Sequence, residues 1–88
     1  MGVKSFTHPD FWACYYRLPK QIQNLADSKF ELFKKDHYHP SLNFSKKGGV
    51  WTVNIGYHYR ALAFREDIDI VWFWIGTHED YNNLMNRL

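Results

Sequence analysis

Asp69-Ile70-Val71-Trp72-Phe73-Trp74-Ile75-Gly76-Thr77-His78-Glu79-Asp80-Tyr81 begins as an apolar run and ends in a cluster of polar groups. Residues 69–75 read as a strand that breaks at Gly76. The run is apolar on both faces, which places it inside a sheet, or between helices on one face and the chain end or a partner on the other. After the glycine, His78 and Tyr81 are groups that transfer protons or bind phosphate at a sheet edge or cleft. The same residues also fit a helix start, because Thr77 followed three residues later by Asp80 resembles a capping arrangement.

Working back from this strand, residues 59–65 form another, joined to it by a tight Glu66-Asp67 turn. Tyr59, Ala61, Ala63 and Arg65 lie on one face, and Arg60, Leu62 and Phe64 on the other. Residues 50–55 form the strand before it, with Trp51, Val53 and Ile55 on one face. Leu42 and Phe44 allow a short strand of period two, and Lys46-Lys47-Gly48-Gly49 is read as the following turn. Consecutive short strands favour an antiparallel meander.

The N-terminal third is helical by pattern. Residues 3–6 are read as a short first strand, with Thr7 as the expected cap of a helix in which Pro9 and Asp10 suit the first turn. Pro19 ends that helix and begins a second, where Ile22, Leu25, Ala26, Phe30 and Phe33 make one apolar stripe down to about Lys35. Residues 36–40 read as a loop, and Asn82 to Leu88 as a brief terminal helix. The expected class is α+β: a twisted antiparallel sheet of about four strands packed against an N-terminal helical hairpin, with a short C-terminal helix.

Eighty-eight residues make a single domain, 1–88, with one modest core. Four Trp, six Tyr and seven Phe are more rings than such a core can hide, so some are expected to line a groove or a dimer interface. The net charge of +2 tolerates a polyanion without predicting one. A single cysteine, Cys14, excludes an internal disulfide and a cysteine-based zinc site. His37, His39, His58 and His78 show no convergent spacing, so neither a metal nor a cofactor is assigned. No stretch is long and apolar enough to span a bilayer and the N-terminus lacks a signal-peptide core, so a soluble, cytoplasmic protein without membrane partners is the expectation.

Antiparallel pairing about Glu66-Asp67 returns Ile75 and Gly76 towards Tyr59 and Arg60. Arg60 and His78 are therefore expected at the same end of the sheet, with Arg65 roughly 17 Å along the strand. An arginine for phosphate, a histidine for proton exchange and a tyrosine as donor suit RNA cleavage in which a ribose 2′-hydroxyl attacks the adjacent phosphate without a metal. Lys46 and Lys47 add point charges, their distance from Arg60 depending on sheet order. Glu79 and Asp80 repel a phosphate unless they point away or find basic partners.

The ordered combination of Leu18-Pro19, Pro40-Ser41-Leu42, Tyr59-Arg60-Ala61 and residues 76–81 resembles the RelE/ParE superfamily of toxin-antitoxin system toxins, over nearly the whole chain. The resemblance implies a toxin that cuts messenger RNA on the ribosome and pairs with a cognate antitoxin. It implies Arg60, His78 and Tyr81 as catalytic residues and puts Lys46 and Lys47, read as RNA-binding, in the region that supplies basic groups; Arg65, at the far end of its strand, is a candidate RNA contact by its charge and position alone. The superfamily also contains ParE-like toxins that inhibit a protein target such as gyrase, and shared fold does not choose between these activities. A divergent structural or regulatory protein is the third reading.

Overall fold

Two prolines set the helical layer. In the computed structural model, which describes residues 4–87, strand β1 (Ser5–Thr7) leads into helix α1 (Pro9–Tyr15), and Pro19 caps helix α2 (Lys20–Lys35). Val3, read as part of the first strand, lies outside the described residues. Pro9 at the start of α1 loses no helical hydrogen bond, since the first amides of a helix have no internal partner. The cap itself differs from expectation: His8 Nδ1, not Thr7, accepts the Asp10 amide at 3.1 Å, while Thr7 Oγ1 accepts from the Trp12 indole at 3.0 Å. The stripe on α2 holds, with Ala26 and Phe33 buried and Leu25 and Phe30 half-buried against the same core.

Beyond a single 3-10 turn at Pro40–Leu42 come β2 (Ser45–Lys47), β3 (Val50–Ile55), β4 (Tyr59–Glu66), β5 (Asp69–Thr77) and helix α3 (His78–Arg87). Leu42 is therefore not a strand residue but a fully buried plug under the sheet. Lys46 and Lys47 belong to β2 rather than to a turn. The hairpin needs only two residues, Gly48 and Gly49, whose φ of 56° and 90° glycine adopts without steric penalty.

The sheet has five strands in the order β1-β5-β4-β3-β2. The meander β2 to β5 is antiparallel, as expected, and β1 adds a parallel edge by pairing Ser5–Thr7 with Ile70–Trp72. The apolar last strand is thus interior. One face, carrying Val53, Ile55, Ala61, Ala63, Ile70, Trp72 and Ile75, meets α1 and α2 and forms the core. A bulge lets Leu62 pair with Trp74 and Ala63 with Trp72, leaving Phe73 as the extra residue. On the second face α3 turns back over β4 and β5, Met85 approaches Gly48, and Leu62, Thr52 and Tyr81 are buried.

Tyr15 ties the helices together by donating its hydroxyl proton to Asp27 Oδ1 at 2.8 Å. Burial, then the Asp27 carboxylate, push the phenol up to about 12. An unfolded tyrosine ionises near 10. The folded state therefore keeps its proton where the unfolded chain has lost it, and this contribution to stability is complete below about pH 10 and lost as pH rises through about 12. Urea midpoints across that window are expected to fall more steeply for the native chain than for Tyr15→Phe. Parallel slopes would refute the coupling.

Candidate functional site

The register brings together the residues at one end of the sheet. Arg60 pairs with Asn54 on β3 and with Gly76 on β5, and Tyr59 pairs with Thr77. His78 follows directly, its amide donating to the His58 carbonyl at 2.7 Å, so the start of α3 is pinned to the β3–β4 hairpin. Thr77 Oγ1 accepts the Asp80 amide at 3.1 Å, which is the capping arrangement legible in the sequence. Glu79 and Asp80 sit in the first turn of α3, where the helix dipole favours carboxylates. Their presence beside a basic site thus has a local cause.

Arg60 is half-buried, and its Nη1 donates to the Tyr59 carbonyl at 2.8 Å and, at 3.4 Å, to that of Gly56. These bonds fold the guanidinium back over its own hairpin and leave Nε and Nη2 without a protein acceptor among the described residues. A phosphate is a suitable partner for those two nitrogens. His78 is exposed and its ring stacks on Tyr81, with centroids 5.8 Å apart and planes 17° from parallel. Tyr81 itself is only 6% exposed. Its position is that of a support beneath the imidazole.

The basic residues read from the sequence do not converge on this end. Lys46 pairs with Trp51, which pairs with Ala63, and Lys47 pairs with Val50. Three residue steps and two strand spacings separate Lys46 from Arg60, about 14 Å between backbones. Lys46 shares the helical face with Arg65, whereas Lys47 shares the second face with Arg60. Among the described residues no group of three or more His, Cys, Asp or Glu side chains is placed to hold a metal ion. No helix there is long and apolar enough to cross a membrane.

Two residues at this end fall outside the site residues that the sequence suggests. Arg17, from the α1–α2 junction, joins Tyr59, Trp74, Thr77 and Asp80 around a cleft of about 220 Å³, next to the part of β5 that β1 does not pair with. Trp74 lies flat over Gly76, since a Cβ added there would stand 2.6 Å from its Cζ2 and 2.9 Å from its Cη2. A small residue directly across from Arg60 is the signal that could have found this. Gly76→Ala is expected to force the Trp74 indole to shift and to destabilise the fold by about 1–3 kcal/mol. An unchanged urea midpoint together with unchanged near-ultraviolet dichroism would contradict that packing.

A family model for the ParE-like toxin domain matches residues 20–83. No curated protein matches the chain. Among solved structures, the RelB-RelE antitoxin-toxin complex from Methanococcus jannaschii superposes with a TM-score of 0.72 at 11% identity, covering 90% of this chain and 96% of that one. A mutant of E. coli toxin RelE in the free state gives 0.65 at 11% identity, covering 100% and 99%. The YoeB/ParE toxin from Agrobacterium tumefaciens gives 0.64 at 14%, covering 86% and 99%. At these identities the structures establish a common fold, and with the match over residues 20–83 they make this chain a member of the ParE-like toxin domain family, within the RelE/ParE superfamily of toxin-antitoxin system toxins.

Proposed function

We propose that this toxin is a metal-independent endoribonuclease that cuts messenger RNA on the ribosome and is held inactive by a cognate antitoxin. The observation that carries the reading is the register that sets Arg60 opposite Gly76, with exposed His78 two residues further on. In the proposed reaction His78 takes the proton of the ribose 2′-hydroxyl as its oxygen attacks phosphorus. Arg60 neutralises charge on the non-bridging oxygens through Nε and Nη2. The P–O5′ bond breaks, the 5′ oxygen takes a proton from water, and the upstream fragment ends in a 2′,3′-cyclic phosphate. Tyr81 holds the imidazole in place. Solved complexes of similar toxins contain their antitoxins, which supports an antitoxin partner here.

A second reading is a binding toxin of the ParE type, acting on a protein target. It is favoured by the distance of Lys46 and Lys47 from Arg60 and by the burial of Tyr81, which leave fewer catalytic groups at the site. Mapping RNA ends in cells after induction separates the two. The proposed reaction yields new 5′-hydroxyl ends inside translated codons, whereas growth arrest without new ends would exclude it and support the binding toxin.

A further inference from the structure

At the other end of the sheet, on the helical face, cations and aromatic rings form one ladder. Phe44 and Trp51 lie 4.7 Å apart at 24°, and the Arg65 guanidinium stands over the Trp51 ring, 5.7 Å from its centroid. Arg65 Nε donates to the Asp67 carbonyl at 2.9 Å. The guanidinium is thus fixed twice, and neither contact uses its Nη groups. Lys46, paired with Trp51, leaves the sheet from the same face. Tyr38, 71% exposed, extends the ladder 6.2 Å beyond Phe44.

No ion pair engages Lys46 or Arg65 among the described residues. Of the acidic neighbours, Asp36 accepts the Tyr38 amide at 3.2 Å, Glu66, next along β4, leaves from the opposite face, and Asp67 meets Arg65 through its backbone carbonyl. What remains is two cations without an ion-pair partner among the described residues, beside aromatic rings. A polyanion satisfies the charge, and only one with unpaired bases also uses the rings. A guanidinium lying on an indole offers its Nη edge to a phosphate and its outer plane to a base.

We propose that Arg65, held by Trp51 and flanked by Lys46 and Tyr38, is a second contact for single-stranded RNA, on the face of the sheet opposite Arg60. The site rests on the RNA reading above but is separate from the cleaving residues, so the two fail separately. Fluorescence anisotropy of a labelled, unstructured oligoribonucleotide with the full chain tests it. Arg65→Gln is expected to weaken binding about tenfold and to lower the salt slope by about 0.7, with Lys46→Gln acting in the same direction. Arg65→Lys retains the charge, so the slope stays while affinity falls with the lost fork and plane. A purely structural arginine would not split those readouts. Circular dichroism checks that each variant is folded. Unchanged affinity and slope in folded Arg65→Gln and Lys46→Gln, or no RNA binding by the native chain at low salt, overturns the site. Cleavage by a native chain whose Arg65→Gln variant binds normally overturns the site alone. Binding through Arg65 with no new RNA ends in induced cells supports the site and excludes the nuclease.

Discussion

Trp72→Ala is expected to remove about 3–5 kcal/mol of folding free energy, a loss comparable with the whole stability of a domain this small. Trp72 is 1% exposed, and Phe30 and Phe33 meet its ring edge-on at 5.1 and 5.3 Å. Ala63, its neighbour on β4, is the small residue that makes room for it. Its Nε1 donates to Ser5 Oγ at 2.8 Å, so the same side chain anchors the edge strand. Truncation opens a cavity between sheet and helices and strands the serine. Ser5→Ala isolates the second effect and is expected to cost about 1 kcal/mol. Urea denaturation followed by circular dichroism measures both. A Trp72→Ala midpoint close to that of the native chain would show that the core is centred elsewhere.

Arg60→Ala is expected to lower RNA cleavage about 10²–10³-fold and to relieve growth arrest, the loss typical of removing one preorganised charge from a developing oxyanion. The variant loses two hydrogen bonds to the carbonyls of a surface hairpin, so its fold is expected to survive. Arg60→Lys tests the geometry further. An ammonium cannot hold the Tyr59 carbonyl and still present two more nitrogens to phosphate, so lysine is expected to restore little. End mapping in cells, with urea midpoints for each variant, gives the readout. A folded Arg60→Ala protein that cuts at the native rate would remove Arg60 from the site.

Local pattern made much of this molecule legible, and long-range pairing hid the rest. The α2 stripe and the alternation in residues 50–65 carry their own period, so those elements stand where the sequence puts them. The position of β1 was not legible, because a three-residue strand carries no signal for which neighbour it joins, or in which direction. Lys46-Lys47-Gly48-Gly49 has the composition of a turn, yet Gly-Gly alone completes a two-residue hairpin, a rule that places both lysines in β2. The terminal helix starts at His78, ahead of the Asn82 start that the sequence suggests. Tyr81, Leu84 and Met85 stand at helical spacing, and that spacing, applied from Thr77 onward, buries Tyr81. For the site, the common end of Arg60 and His78 followed from hairpin geometry, whereas the retreat of Arg60 onto its own carbonyls depends on a side-chain rotamer that no pattern reveals.

The parallel pairing of β1 with β5 also sets a timetable. Strand β5 lies between β1 and β4, although it comes last of the five strands in chain order. Residues 5–7 must wait for the synthesis of residues 70–72 before the sheet can close, which makes folding non-local and late. A nascent chain halted before Asp69 lacks the interior strand that joins β1 to β4, so this sheet cannot form in it. The sheet closes only when residues 69–77 are free to pair on both sides at once, with β1 in parallel and with β4 in antiparallel register.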